Sequence, residues 1–419
     1  MLVLGNRIST LLRSATLPGH IAKGAIHNIS RRSFTVLGLE SSADDSCAAI
    51  VTDSREIKAN VVIRQDDEHR QYGGIHPYVA IKSHQSNVPL AVQRALSQAG
   101  CTMSDIDGIA FTRGPGMPGC LSVAAGTAKG IAAALGKPLV GVHHMHAHAL
   151  TPFLTQPVDE LPEYPFLTYL LTGGHTLLLL AEDSRTFRVL ADTIDSSIGA
   201  AYDLASRALS LPPHPKGAGA ALEVFCTRPI PDSELGDIVK PFVTPMRNEM
   251  AFSFSGVLSQ VIIPIQRLGH NPDERTKLAF ARAFQDAAAR HLTDRLLKAL
   301  SYCLQGHIHV KHLVVSGGVA SNMFIRNRLK ECLETASVEQ SPPIKLICPP
   351  REFCTDNAAM IAWASMDRFQ THDYDDFAIS LRPTWKIADL TQPDSVDKPW
   401  HGRRSRALNV PTLAVENPE

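Results

Sequence analysis

Twice along this 419-residue chain, two short apolar runs flank a small polar turn, and each time strands and helices then alternate. The first cycle opens with Thr35-Val36-Leu37-Gly38-Leu39-Glu40-Ser41-Ser42, turns at Ala43-Asp44-Asp45-Ser46 and resumes with Cys47-Ala48-Ala49-Ile50-Val51. Helical spacing over 80–99 follows, then a strand at 108–112, a Gly-rich stretch at 113–119, a small-residue helix over 121–135 and a strand at 138–142. The second cycle opens at Phe166, where the apolar run to Ala181 is broken by Thr172-Gly173-Gly174-His175 and reads as two buried strands around a turn. A later strand, 313–315, enters Ser316-Gly317-Gly318 and a helix through Arg326 and Leu329. Alternating strands and helices make an α/β fold, and the repetition predicts two similarly built lobes with a cleft between them. One long doubly wound sheet is the alternative that alternation by itself permits.

Charge separates the N-terminus from the rest. Residues 1–39 hold no Asp or Glu but include Arg7, Arg13, Lys23, Arg31 and Arg32. An acid-free stretch with Arg and Ser has the composition of a mitochondrial import segment, so the first 33 residues are set aside as targeting. Without those five cations the remainder holds 36 basic against 41 acidic side chains, so a nucleic-acid partner would need a local basic patch. No run of eighteen apolar residues is free of charges or of Gly and His interruptions, so no membrane span is expected. The eight cysteines form no CxxC pair, which argues for reduced thiols and against a disulfide framework or a Cys-type zinc site.

The loudest local signal is Val142-His143-His144-Met145-His146-Ala147-His148, where four of eighteen histidines fall within six residues. On a helix His144 and His148 share one face and can chelate a cation; on a strand His144, His146 and His148 would share a face instead. A third, hard ligand is available in Asp356, at the start of an apolar helix, where its commoner role is an N-cap. The cluster is no H-E-x-x-H protease motif, because Met145 stands where the general base would be.

Glycine-rich turns are the second signal. Gly173-Gly174, Gly317-Gly318 and Gly114-Pro115-Gly116 each follow a strand, and such turns let backbone N–H groups approach phosphate. Together with the polar hairpin at 41–46 they predict a nucleotide cleft, although neither a Walker loop nor a G-x-G-x-x-G is present. Asp44 and Asp45 can hold a metal-bound phosphate or accept a proton; turn formation is their simplest other role. Asp203 and Asn322 can hydrogen-bond a ribose or base.

Taken in order, His144-Met145-x-x-His148, Thr172-Gly173-Gly174-His175-Thr176, Phe252-Ser253-Phe254-Ser255-Gly256, Ser316-Gly317-Gly318-Val319 with Asn322, and Cys354-Thr355-Asp356-Asn357 resemble the tRNA threonylcarbamoyladenosine transferase family, formerly the glycoprotease or O-sialoglycoprotein endopeptidase family. The likeness covers about residues 35–386, and with the import segment it is nearest the mitochondrial branch. It implies two duplicated lobes of the actin, hexokinase and Hsp70 (ASKHA) type, with an interlobe nucleotide and metal cleft. The expected division is 34–155 for the first lobe, completed by a C-terminal helix near 366–386, then 156–365 for the second, and a flexible tail over 387–419.

The resemblance implies transfer of a threonylcarbamoyl group from threonylcarbamoyl-AMP to the exocyclic amine of the adenosine after the anticodon, in tRNAs reading codons that begin with A. It implies one divalent metal, Fe2+ or Zn2+, on His144, His148 and Asp356. The substrate side would use Thr172, Gly173, Gly174, His175, Thr176, Asp203, Gly217, Ser316, Gly317, Gly318 and Asn322. Asp44 and Asp45 match an acidic pair assigned to catalysis. The donor would come from a separate synthase, the partners would be tRNA and, as an option, a second copy of the chain, and the compartment would be the mitochondrial matrix. Candidate tRNA-facing cations are Arg64, Arg70, Arg326, Arg328, Lys330, Arg351 and the 401–406 cluster. The chain departs from the family pattern at Ala43 and Asp45, at Tyr72–Lys82, where a Glu is replaced by Tyr78, at Gly199-Ala200-Ala201-Tyr202-Asp203, and at His214-Pro215-Lys216-Gly217. These changes leave open a non-catalytic nucleotide-binding scaffold, or a small-molecule kinase, of the same superfold.

Overall fold

The computed structural model describes residues 32–72, 74–336 and 343–392. The expected targeting segment, apart from its last two residues, and the tail beyond 392 lie outside the described residues. The fold proper begins at Phe34.

Its first half holds β1 (Thr35–Glu40), β2 (Ser46–Thr52), β3 (Ile57–Ile63), α1 (Asp66–Arg70), α2 (Pro77–Ala99), β4 (Gly108–Gly114), α3 (Pro118–Leu135), β5 (Leu139–His143) and α4 (His144–Thr155). The second holds β6 (Phe166–Leu171), β7 (Thr176–Ala181), β8 (Phe187–Thr193), α5 (Ile198–Ala208), α6 (Ala218–Cys226), β9 (Ala251–Phe252), α7 (Phe254–Leu268), α8 (Glu274–Gln305), β10 (His312–Ser316), α9 (Met323–Ala336), β11 (Lys345–Ile347) and α10 (Ala358–Gln370).

The strands form two sheets, ordered β3-β2-β1-β4-β5 and β11-β10-β6-β7-β8-β9. In each, three antiparallel strands joined by tight turns are extended by two parallel ones: β4 and β5 beyond β1, β10 and β11 beyond β6. The second sheet therefore repeats the first and adds β9 at its edge. This is the duplication that the sequence pattern predicts, and it excludes a single long sheet among the described residues.

Strands β1, β2, β4, β5, β6 and β7 are buried along their whole length, so they read as continuous apolar runs rather than alternating ones. Helices α2 and α3 cover one face of the first sheet with Ala91, Ala95, Ala124, Ala125 and Ala128, while α10 covers the other with Ala358, Ala362 and Phe369. Gly38 of β1 permits that second contact: a Cβ there would stand 2.5 Å from the carbonyl oxygen of Ala358. The core of the second sheet is larger and contains α5, α7, α8 and α9. All eight cysteines are unpaired thiols.

Two boundaries differ from expectation. The helix foreseen near 366–386 runs over Ala358–Gln370, because Asn357 caps it and its small residues lie flush on β1; a boundary at 365 would cut it in two. Nor is the tail free from 387 onward: Ile387 is buried with Phe187, and the 387–389 turn packs on β8.

Candidate metal and nucleotide cleft

His143 ends β5 and caps α4, its Nδ1 accepting from the N–H groups of Met145 (3.1 Å) and His146 (3.3 Å). The histidine run is therefore helical from His144 onward, which settles the helix-or-strand question in favour of the helix. His144 and His148 fall one turn apart, with ring centroids 4.8 Å apart and planes perpendicular. His146 points elsewhere and meets the carbonyl of Ser184 at 2.7 Å.

Asp356 reaches these two rings from a distant segment, 208 residues beyond His148. Its Oδ1 lies 3.4 Å from His144 Nε2 and 3.1 Å from His148 Nε2. The N-cap role that the sequence offers to Asp356 is taken by Asn357, whose side chain accepts from Met360 N–H at 3.0 Å. That leaves the Asp356 carboxylate to face the histidines. Among the described residues these three form the one His/Cys/Asp/Glu group able to hold a metal ion, with donor atoms within 4.8 Å of one another.

The set fits a cation for three reasons. Donors about 2.1 Å from a tetrahedral ion stand about 3.4 Å apart, close to the separations that Asp356 makes. His144 Nδ1 lies 3.2 Å from Glu40 Oε2, so a carboxylate orients the ring from behind. The local potential also favours positive charge: burial disfavours the His144 cation, but Asp356 and Glu40 outweigh it and push the ring up to about 10. Burial raises Glu40 and Asp356, yet the neighbouring histidines hold both carboxyls below their ordinary range.

Glu40 was not foreseen as a site residue. It is fully buried at the end of β1, accepts from Ser42 N–H at 2.5 Å and from the Thr112 hydroxyl, and faces His144. The available signal was an acid closing an otherwise apolar strand, a position where an unpaired carboxylate would be too costly to bury.

Beside this centre lies a cavity of about 800 Å³ lined from both halves of the molecule. The first half contributes Asp44, Asp45, Arg64 and Asp66; the second contributes Gly173, Asp203, Lys216, Glu223, Gly318 and Asn322, among others. Arg64 and Arg351, foreseen as tRNA-facing, line this cavity. Asp44 and Asp45 are half-buried. Burial, then Asp356 and Asp66, push Asp44 up to about 6; burial, then Asp356 and Asp44, push Asp45 up to about 8.

The remaining expected positions divide. Asp203 accepts Gly219 N–H at 2.7 Å and is raised by burial. Asn322 accepts Ile325 N–H at 3.1 Å, leaving its amide NH2 as the group it offers to the cavity. Thr172 takes up its own turn instead: its hydroxyl accepts from Gly174 N–H (3.2 Å) and His175 N–H (2.9 Å), so those two amides do not point at a ligand. The Thr176 hydroxyl is buried and accepts Ile198 N–H at 2.8 Å. His175 faces the metal-binding group, where burial and then His144 and His148 lower it to about 4. Gly217 starts α6 between the lining residues Lys216 and Gly219. Gly317, at φ 100°, brings the turn after β10 so close to β6 that a Cβ would stand 2.4 Å from Leu171 O. Ser316 is buried beneath it.

The Gly114-Pro115-Gly116 turn is no phosphate cradle. Gly116 N–H donates to Pro383 O (3.1 Å) and Met117 N–H to Ser42 O (2.9 Å), so the chain itself occupies it.

The sequence model of the TsaD family, tRNA N6-adenosine threonylcarbamoyltransferase, matches residues 56–363. A protein of Arabidopsis thaliana described as "Probable tRNA N6-adenosine threonylcarbamoyltransferase, mitochondrial" is 35% identical over 376 residues, covering 84% of this chain and 75% of that protein. The chain belongs to the tRNA N6-adenosine threonylcarbamoyltransferase family. The member from Paramagnetospirillum magneticum is 36% identical over 355 residues, covering 84% of this chain and 96% of that one. A crystal structure of HypF from T. kodakarensis shares the fold, at a TM-score of 0.52 and 14% identity, over 82% of this chain and 48% of that one. The architecture is the two-lobe ASKHA type.

Family membership also gives meaning to the chain's departures. Ala43 contributes to the first hairpin through its carbonyl, which His84 Nε2 meets at 3.0 Å, so its side chain is not what holds the turn. Tyr78, in place of the usual Glu, is 72% exposed on the first turn of α2 and lines no described cavity. Ala201 and Tyr202 are buried in the core of the second half, and Tyr202 also lines the cavity, together with Gly199 and Asp203. The Phe252–Gly256 motif caps α7: the Ser253 hydroxyl donates to Asp195 Oδ2 at 2.6 Å, and Phe254 N–H donates to Asp195 Oδ1 at 3.0 Å. That helix N-terminus is thereby closed to a ligand anion.

Of the other candidate cations, Arg326 is tied to Ala320 O and Pro349 O, while Arg328 and Lys330 pair with Asp286, Glu331 and Glu334. The 401–406 cluster and the side chain of Arg70 lie outside the described residues. No helix among the described residues is long and apolar enough to cross a membrane.

Proposed function

We propose that the cavity takes the adenylate of threonylcarbamoyl-AMP, and that His144, His148 and Asp356 hold one divalent metal beside it. As a member of its family the enzyme transfers a threonylcarbamoyl group to N6 of an adenosine in tRNA. The finer reading places that adenosine directly after the anticodon, in tRNAs for codons beginning with A, and places the enzyme in the mitochondrial matrix. The Arabidopsis relative and the acid-free N-terminus support the compartment. Two imidazoles and one carboxylate suit Fe2+ and Zn2+ alike.

The single observation that carries this reading is the convergence of Asp356 on His144 and His148 beside a two-sided cavity bearing Asp44 and Asp45. A bound Lewis acid would orient the donor and stabilise the charge that develops on it. The protein's own part can be followed bond by bond. The adenosine amine forms a C–N bond to the carbamoyl carbon. The bond from that carbon to the phosphate oxygen breaks, and AMP leaves with the electron pair. The amine proton passes to Asp44, whose affinity near 6 keeps it ionised at neutral pH yet basic enough to accept late in the reaction. Asp45, pushed higher, stays protonated there and can donate a hydrogen bond. Asp203 and Asn322 would hold the nucleoside, and Gly173 and Gly318 would leave room for its phosphate. Arg64 and Arg351 supply positive charge where the tRNA backbone would approach.

In this reading the donor comes from a separate synthase, and a second copy of the chain is the candidate protein partner. The lobes would be 34–155 with α10, and 156–357. The deciding experiment is reconstitution of the mature chain with threonylcarbamoyl-AMP and tRNA. Modified adenosine and AMP should form in equal amounts and stop when a chelator strips the metal. Transfer unaffected by complete metal removal would overturn the metal assignment; no transfer with metal present would overturn the activity.

A further inference from the structure

A buried polar chain runs behind the acidic hairpin, and none of its members belongs to the cleft. His84, in the middle of α2, is fully buried, as are Ser46 and Gln65; His69 is 5% exposed. One assignment of protons satisfies every contact. His76 N–H donates to His69 Nδ1 (3.2 Å), and His69 Nε2–H donates to Gln65 Oε1 (3.2 Å). The Gln65 amide donates to Ser46 Oγ (3.3 Å) and lies 3.3 Å from His84 Nδ1. The Ser46 hydroxyl donates to His84 Nδ1 (2.7 Å), and His84 Nε2–H donates to the carbonyl of Ala43 (3.0 Å). The chain thus ends by gripping both flanks of the turn: Ala43 on one side of Asp44 and Asp45, Ser46 on the other.

We propose that His84 is a positioning residue for threonylcarbamoyl transfer, clamping the Ala43–Ser46 turn so that Asp44 and Asp45 face the cavity. This rests on the reading above, in which that turn supplies the base. The imidazole suits the task because it accepts at Nδ1 and donates at Nε2 from one rigid ring, spanning two points of the turn. Four buried polar side chains cost stability unless all are satisfied. Here each has a partner, and the return is an aimed hairpin. Contacts on the entering side, among them Met117 N–H to Ser42 O, the Ser41 hydroxyl to Cys120 O (2.7 Å) and Ser42 N–H to Glu40, fix the strand that leads into the turn.

The test uses the purified enzyme and three variants. Transfer kinetics with threonylcarbamoyl-AMP and tRNA are read beside hydrogen exchange of the backbone amides at 43–46. His84→Leu should lower kcat roughly 10- to 100-fold, the scale for a misplaced catalytic group, with KM for the donor within about threefold. The 43–46 amides should exchange about tenfold faster while those of β4 and α3 do not change. His84→Gln keeps an N–H donor and should return kcat to within about fivefold of the parent. His84→Leu at the parent rate, unchanged exchange at the turn, or His84→Gln no better than His84→Leu would each overturn the proposal. If His84→Leu does not fold, Ser46→Ala decides in the same assays: slower transfer with faster turn exchange supports the clamp, and parent behaviour overturns it. Failure of the unmodified enzyme to transfer would instead strike the functional reading, and the exchange data would still judge the clamp.

Discussion

The two hairpins that open the two halves occupy equivalent places in equivalent sheets, yet they are built in opposite ways. The β1–β2 turn carries Asp44 and Asp45, half-buried and both raised, against the cavity; its support comes from outside, through His84 on α2. The β6–β7 turn, Thr172 to His175, carries no carboxylate; the Thr172 hydroxyl closes it from within, and its outside support is the Ser197 hydroxyl donating to Gly173 O. In the proposed reading, a duplicated fold thus supplies one aimed turn that does chemistry and one compact turn that would let the ligand come close. The strand order is shared; the difference lies in which partner satisfies the turn's polar groups.

The comparison can be broken most directly at the point where the two halves meet. Asp356→Ala removes the ligand that joins the C-terminal segment to α4, and it should cost roughly 10²- to 10³-fold in transfer together with the bound metal, measured by elemental analysis. Retention of both would dissolve the proposed centre. On the active turn, Asp44→Asn should lower kcat about 100-fold with little change in KM. The parent kcat should rise as pH rises through about 6, because Asp44, lifted from 3.8, accepts a proton only once ionised. The variant should lose that limb; if it keeps both rate and limb, Asp44 is not the base.

A smaller effect is expected behind the metal-binding group. Glu40→Gln keeps the shape but weakens the partner of His144, and should reduce metal affinity roughly 10- to 100-fold, read by competition with a chelating dye. The least effect belongs to the compact turn. Thr172→Val strands two amides at once and should cost about 1–2 kcal/mol of stability in denaturant melts, with kcat altered less than by Asp44→Asn. A larger catalytic than structural loss there would show that the second turn is as active as the first.

Much of this was legible in the residues. The repeated strand–turn–strand pattern gave the two sheets, because strands buried on both faces leave continuous apolar runs. His144 and His148 stood out by spacing, and Asp356 by its place in a motif. Glu40 did not, since one acid after an apolar strand also suits a turn. The misleading sites were glycine turns: Gly114–Gly116 resembles a phosphate cradle in sequence, but the Gly116 amide is taken by Pro383 O and that of the next residue, Met117, by Ser42 O. Backbone N–H groups carry no residue identity, so their partners cannot be read from composition.

By itself, the sequence determined the repeated strand–turn–strand pattern, the burial of its strands, and the family. These depend on local periodicity and short motifs. Only the tertiary structure decided that the histidine run is helical, so that His144 pairs with His148, that Asn357 rather than Asp356 caps α10, that Asp356 crosses 208 residues to His148, and that His84 grips the acidic turn. Such choices are contests between neighbouring groups for one hydrogen-bond partner, and they are resolved by distances that exist only once distant segments have packed together.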